Sequence, residues 1–477
     1  MPAVKPLVLD VDGTFLKTDL LLETFWAGLG QDPLATLRIC LRHFGDRARL
    51  KAELARVGQV RTDLMPVNPE VANLALQSRV TGREVILASA SDHSLVAKLA
   101  QEYGLSDTVF ASDGAKNLKG ERKAEALVEA FGEGGFDYAG NGAVDMAIWR
   151  RADNALVVGH ARSARMLAAE GRNVVELSGG FSFRGLIKAL RPQQWVKNTL
   201  LLLPLIAAHQ FNMATLVPIL WGILAFSAAA SSIYIINDLL DLEADRLHQT
   251  KKNRPFASGR VPIVAGMACF VVLALVALSV AAWLNSGFLL IVLIYMAVSL
   301  AYSLKLKRMR WVDVATLAWL YTLRVVAGAA AAQVFVSIYM LIFIFPIFIT
   351  LGCVKRLTEL AAATTDEPLP GRGYARLDRG DLLNVAGLGT AGALLIFFLY
   401  SVSAQGKELY PSTWILWLAM PLMALWLIRM MMLGWYGKQD FDPIVFALRD
   451  KFGIGILMFI LSLMFWAAGL WSKWFGG

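Results

Sequence analysis

From about residue 196 to the C-terminus, polar positions almost vanish for long stretches. Nine apolar segments lie near 196–210, 214–236, 263–284, 287–303, 312–332, 336–354, 383–403, 412–433 and 453–472. Most approach the about 20 residues that a helix needs to cross a bilayer, and the first is short. The pattern predicts an all-α polytopic membrane domain of nine transmembrane helices over 196–477. Before residue 180 it changes in kind. Short apolar runs at Leu7–Leu9, Glu84–Ser89, Phe136–Gly140 and Asn173–Ser182 alternate with helical stretches, which predicts a doubly wound α/β domain over 1–180 with its site at the carboxyl ends of the strands. Amphipathic helical patterns from about 16 to 75 interrupt that sheet and predict a helical cap. Residues 181–195, apolar and basic at helical spacing, read as an amphipathic connector, either on the membrane surface or as a plain inter-domain helix.

Composition sharpens this division. A hydrophobic fraction of 57% averages a soluble domain with a membrane domain, and the net charge of +9 reflects loop cations rather than a nucleic-acid surface. Arg246, Lys251, Lys252, Arg254 and Arg260 fall in one loop, Lys305 to Arg310 in another, Lys355 to Arg379 in a third, and Lys438 to Lys451 in a fourth. The alternate connections offer only Lys407. That asymmetry predicts an inward amino terminus and an odd number of spans. Nothing at the amino terminus resembles a signal peptide, so the first domain is expected in the cytoplasm. Cys40, Cys269 and Cys353 are isolated, which indicates neither a disulfide framework nor a zinc site.

The chemistry concentrates in a few stretches. Asn237 to Asp245 reads N-D-L-L-D-L-E-A-D, and spacings of three and four put Asp238, Asp241 and Asp245 on one face if the helix continues. Clustered acids at a membrane boundary imply a cation, Mg²⁺ above all, since it takes oxygen ligands and bridges to phosphate. Lys251, Lys252 and Arg254 follow, suited to the outer oxygens of a diphosphate; the alternative is a charged loop capping a membrane helix. Asp313 closes the polar loop from Tyr302, and Arg324 follows within the next apolar segment, where unpaired charge is costly. Their separation of eleven residues is about three helical turns, too far to touch, which favours ligand contact over a mutual ion pair. At the membrane entrance, Trp195 suits the interface, and Arg191, Lys197 and Asn198 suit phosphate or lipid headgroups.

The first domain opens with L-V-L-D-V-D-G-T, in which strand alternation puts Asp10 and Asp12 on one side. With Ser89 after a second strand, Lys123, and Asn141 and Asp145 after a third, it resembles the haloacid dehalogenase (HAD) superfamily of phosphohydrolases. The resemblance implies a Rossmann-like α/β fold with a cap. It makes Asp10 the nucleophile, Asp12 the general acid and base, and Ser89, Lys123 and Asn141 the phosphate-binding residues. Asp10, Asp12 and Asp145 would be the metal set. Asn141 stands where that family usually has aspartate, which weakens the implied metal site and keeps a regulatory domain in view.

From about residue 186 onward, R-P-Q-Q-W-V-K-N, N-D-L-L-D-L-E-A-D-R, K-K-N-R-P and Y-S-L-K-L-K resemble the UbiA superfamily of intramembrane prenyltransferases, and within it the decaprenyl-phosphate phosphoribosyltransferase branch. The resemblance implies Mg²⁺, phosphoribosyl diphosphate as donor, and a polyprenyl phosphate as acceptor in the bacterial inner membrane. Donor and acceptor contacts would come from Asn237, Lys251, Lys252, Arg254, Tyr302, Lys305, Lys307, Asp313 and Arg324, with Arg191, Lys197 and Asn198 at the acceptor phosphate. Prenyl-transferring members usually carry a second aspartate four residues after the first in the later motif, and Leu317 stands there instead. Two alternatives remain: an aromatic prenyltransferase using a prenyl diphosphate, and a non-enzymatic lipid-binding or transport protein. Membrane lipids are expected partners and nucleic acid is not; self-association is left open.

Overall fold

The structure, a computed structural model, describes residues 4–363, 365–369, 372–439 and 442–476. The chain divides into two compact units, one formed by Met1–Leu190 with Tyr234–Val271 and the other by Arg191–Ile233 with Val272–Gly477. The division departs from the sequence boundaries at 180 and 196, because the acid-rich loop that follows residue 237 packs with the N-terminal residues.

In the first unit, six parallel strands form one sheet: β1 (Leu7–Asp10), β2 (Val85–Asp92), β3 (Val109–Ser112), β4 (Asp137–Gly140), β5 (Asn154–Val158) and β6 (Asn173–Leu177), in the order β3-β2-β1-β4-β5-β6. Leu7, Val8 and Leu9 are fully buried, as expected for a parallel strand covered on both faces. The order reverses between β1 and β4, and the loops leaving those strands hold the polar cluster described below. Strands β3 and β5 were not singled out in the sequence, being short apolar runs without a chemical motif.

Between β1 and β2 lie the helices α1 (Leu20–Gln31), α2 (Pro33–Arg42) and α3 (Arg47–Val57), within the segment expected to form a cap. Each begins at an aspartate, Asp19, Asp32 or Asp46, whose side chain accepts from a backbone N–H of the first turn. The connector is a helix over Phe183–Ala189 that leaves Phe183 and Ile187 exposed and buries Gly185 and Ala189.

Among the described residues, seven helices are long and apolar enough to cross a membrane: Met213–Leu240, Ile263–Leu284, Ser286–Leu304, Val312–Ala332, Ile338–Ala361, Arg376–Val402 and Thr413–Trp435. The expected count of nine differs at its two ends. The 196–210 stretch is two short helical pieces, Pro192–Leu202 and Leu203–Ala208, and the final segment gives the shorter helix Lys451–Ala467. Pro204 sits in the first turn of the second piece, and His209, in a left-handed conformation, ends it. It nonetheless packs closely within the second unit: a Cβ placed on Gly328 would come within 2.0 Å of the Leu201 carbonyl oxygen, so only glycine permits that approach.

Candidate functional site

Among the described residues, the expected site residues fall in three polar centres. The first sits at the strand ends of the sheet. Asp10 terminates β1, whereas Asp12 lies past the strand in the turn, so strand alternation does not relate them. What brings them to one place is the turn itself. Gly13 has φ +77°, and a Cβ there would come within 2.1 Å of the Asn141 side-chain nitrogen.

Lys123 Nζ lies 2.7 Å from Asp10 Oδ1 and also donates to the Ala88 carbonyl and to the Tyr138 hydroxyl, both at 3.1 Å. Tyr138 in turn donates to Asp145 at 3.0 Å, and the backbone N–H groups of Asn141 and Gly142 donate to the other Asp145 oxygen at 3.1 and 3.0 Å. Ser89 and Ser91 each donate to Asp12 Oδ2 at 2.8 Å, and Leu20 N–H donates to Oδ1 at 2.7 Å. Burial pushes the Asp10 carboxyl up to about 7, against the pull of Lys123; Lys123 itself is lowered by burial but more than offset by Asp10 and Asp145, and ends raised.

The expected Asp10, Asp12 and Asp145 set is therefore adjacent, but Asp12 and Asp145 are tied to donors of the chain rather than converging as a metal cage. Sequence reasoning missed Tyr138, Thr14 and Ser91. Thr14 donates to Asp10 Oδ2 at 3.2 Å, and the threonine of D-G-T was a signal for it. Tyr138, inside a strand, left none.

The second centre is the acid loop, also in the first unit. The helix Met213–Leu240 stops short of Asp241, and a new short helix runs over Leu242–Leu247, so the acids do not share one continuous helical face. Asp238 and Asp245, both buried, still meet through Arg254, whose Nη1 lies 3.1 Å from Asp238 Oδ1 and 2.8 Å from Asp245 Oδ2. Asp241 is half-buried at the break, and Asn237 is half-buried one turn earlier. Lys251 and Lys252 are exposed on the turn Lys251–Asn253.

Burial pushes Asp245 up to about 6, with Asp238 and Asp241 adding to it and Arg254 opposing. Every donor among these acids is a hard carboxylate oxygen, which suits Mg²⁺. Among the described residues no three His, Cys, Asp or Glu side chains are already gathered into a metal-binding group.

The third centre lies in the second unit. Asp313 is fully buried and meets Arg356, equally buried, with 2.5 Å between Oδ2 and Nε in a charge contact that lacks hydrogen-bond alignment. Its other oxygen accepts from Tyr302 at 2.8 Å and from Arg356 Nη2 at 3.0 Å, with Arg372 at 3.6 Å. Arg356 also pairs with Glu359.

The expectation of ligand contact for Asp313 thus meets an internal partner that the sequence had placed in a loop. Lys355 and Arg356 lie inside the helix Ile338–Ala361, not after it. Arg324 donates to Asn198 at 3.1 Å, Tyr295 at 3.0 Å and the Leu320 carbonyl at 2.6 Å, and Asn198 donates to Ser227 at 2.9 Å. Lys197 pairs with Asp442, which also faces Lys355 at 3.7 Å. Asp442 caps the helix Pro443–Ala447, and its D-P pair was the available signal. Lys305 is exposed and Lys307 half-buried in the following turn, and Arg191 is half-buried in a left-handed conformation.

Arg356→Leu is expected to destabilise the protein by about 3–5 kcal/mol, because it strands the Asp313 carboxylate in a buried place. Thermal unfolding in detergent measures this, and Arg356→Leu with Asp313→Leu should recover most of the loss.

A UbiA prenyltransferase family profile matches residues 199–362. An uncharacterized protein of Sinorhizobium fredii, y4nM, is 35% identical over 94% of this chain and 88% of its own length, so both halves have a counterpart there. The decaprenyl-phosphate phosphoribosyltransferase of Mycolicibacterium smegmatis is 36% identical over 186 residues, 38% of this chain and 58% of that enzyme. Among solved structures, a UbiA homologue from Archaeoglobus fulgidus bound to GPP and Mg²⁺ covers 60% of this chain and 99% of that one, at 16% identity and a TM-score of 0.46.

Proposed function

The chain belongs to the UbiA prenyltransferase family of integral membrane enzymes, and on that premise we propose that it transfers 5-phosphoribose from phosphoribosyl diphosphate to a polyprenyl phosphate. The observation that carries the reading is the 36% identity to a decaprenyl-phosphate phosphoribosyltransferase across 186 residues. The bond from ribose carbon 1 to the diphosphate oxygen breaks, the diphosphate leaves with the electron pair, and an oxygen of the lipid phosphate bonds to carbon 1. That oxygen is already an anion, so no general base is needed.

Asp238, Asp241 and Asp245 would hold Mg²⁺, which when bound supplies positive charge to the leaving diphosphate. Arg254 bridges two of these acids and orients them; Lys251 and Lys252 offer exposed cations from the same loop. Lys197, Asn198 and Arg324 are the candidates for the acceptor phosphate, with Lys305, Lys307 and Tyr302 for the far phosphate of the donor. The sheet domain then removes the 5-phosphate from the lipid product: Asp10, with Lys123 beside it, bonds to phosphorus as the bond to the ribose 5-oxygen breaks, that oxygen takes a proton from Asp12, and water hydrolyses the aspartyl-phosphate to inorganic phosphate. We place the enzyme in the bacterial inner membrane with both sites on the cytoplasmic face, a reading supported by the loop charge asymmetry.

A second reading, transfer of a prenyl group from a prenyl diphosphate to an aromatic acceptor, is favoured by the family profile itself. Incubating the purified protein with labelled phosphoribosyl diphosphate, polyprenyl phosphate and Mg²⁺ separates the two. The expected product by mass spectrometry is a lipid carrying ribose. Prenylated aromatic product with no ribosylated lipid replaces the first reading with the second.

A further inference from the structure

The acid loop is fastened from outside the family's own segment. Arg246 directly follows Asp245, and its guanidinium meets Glu23 of helix α1 through two hydrogen bonds, Nη1 to Oε2 at 3.0 Å and Nη2 to Oε1 at 2.5 Å. Both side chains are buried, at 7% and 3% exposure, so neither charge is left to water. Arg246 Nε also donates to the Ala257 carbonyl at 3.1 Å, which ties the start of the loop to its far end. Beyond that pair, Ser182 N–H donates to the Arg260 carbonyl at 2.9 Å, and Gly259 packs against Lys17 and Pro66. The segment between Asp241 and Val261 is thus seated on the N-terminal domain at both ends.

We infer that Glu23 is a positioning residue for the transferase centre: the phosphatase-like domain supplies the carboxylate that fixes the loop carrying Asp245 and Arg254. A loop that breaks from its helix at Asp241 has no continuous helical register to set the direction of Asp245. The bidentate Arg246–Glu23 contact sets it instead, since a planar guanidinium against a carboxylate fixes orientation as well as distance. The carboxylate is itself fixed by the Thr18 hydroxyl, which donates to Glu23 Oε1 at 2.6 Å. The Thr18 carbonyl accepts from Gly13 N–H at 3.1 Å, inside the turn that carries Asp12. One carboxylate therefore joins the turn of the hydrolase-like centre to the loop of the other centre. This gives the two halves a reason to share a chain beyond the proximity of their sites.

The inference rests on the transferase reading for its kinetic consequence and not for its structural one, and the test reads both. In the full-length protein, Glu23→Gln keeps the side-chain shape and removes the charge. It is expected to raise KM for phosphoribosyl diphosphate by about 10- to 100-fold, the scale on which a group orienting a ligand through another residue acts. It should also speed hydrogen exchange of the 241–261 amides relative to the sheet. The exchanged pair, Glu23→Arg with Arg246→Glu, is expected to recover part of both effects. Glu170→Gln, which breaks the exposed Arg150–Glu170 pair of the same domain, serves as the control and should change neither.

Unaltered exchange of 241–261 in Glu23→Gln overturns the inference whatever the enzyme's donor proves to be. So does a lowered melting temperature with donor KM and loop exchange both unchanged, which would make the pair a structural contact only. If the wild type forms no ribosylated lipid, the transferase reading falls, and the exchange measurement alone decides the positioning role.

Discussion

Asp238→Asn in the full-length protein is expected to reduce lipid ribosylation on the order of 10²-fold or more, the loss that follows removal of one group holding developing charge in a dry site. The substitution is close to isosteric, and the new amide oxygen can still accept from Arg254, so folding and insertion should be kept. What is lost is one of the two buried negative charges that Arg254 now bridges. With Asp238 neutral, one hard anionic oxygen is lost from the set that suits this place to a divalent cation. The effect should therefore be deepest at low Mg²⁺ and should not be recovered by raising the lipid acceptor. Asp241→Ala tests the same reading from the half-buried position at the helix break, where a carboxylate is removed without emptying a packed space. Near wild-type, Mg²⁺-dependent turnover by either purified variant would remove the acid loop from the mechanism.

The reach of the sequence differs from element to element, and the difference has a physical cause. Local features were legible. The L-V-L-D strand end, the D-G-T turn, the helical character of the 16–75 segment and most of the apolar helices are set by residues within a few positions of one another. The acids of the 238–245 loop were legible as a group, but their arrangement was not. Equal spacing predicts a shared face only while the helix continues, and it stops before Asp241. Pairings across long separations left no trace in periodicity. Arg356 reaches Asp313 across 43 positions, Lys197 reaches Asp442 across 245, and Arg246 reaches Glu23 across 223.

Charge counting in fact pointed the wrong way for Lys355 and Arg356. A cation pair beside an apolar run reads as a loop, yet here it lies inside a helix where Asp313, Glu359 and Asp442 neutralise it. Asp313 and Arg324 were rightly separated by geometry as partners of one another. The sequence offered no way to see that each has other partners in the fold.

Asp10→Asn is expected to make the full-length enzyme accumulate lipid-linked ribose that still carries its 5-phosphate, while the wild type releases that phosphate. Nucleophilic attack on phosphorus needs an ionised carboxylate; an amide cannot form the acyl phosphate, so the loss should approach the limit of detection. The change is nearly isosteric, and the amide oxygen can retain the contact with Lys123 at the end of β1, so the sheet should keep its fold. Lys123 is placed to do two things in the wild type: its charge opposes the upward push of burial on the Asp10 carboxyl, and it offsets the approach of an anionic substrate to an anionic nucleophile. Lys123→Met should therefore lower hydrolysis as well, by leaving Asp10 buried without its cation and hence protonated over a wider pH range. The assay supplies the phosphorylated lipid directly, so that transfer by the other half does not limit the rate, and follows inorganic phosphate together with the mass of the lipid. Equal phosphate release by wild type and Asp10→Asn would exclude Asp10 as the nucleophile. Release by neither would leave the sheet domain without hydrolytic work on this lipid, and its contact through Glu23 would then be its contribution to the enzyme.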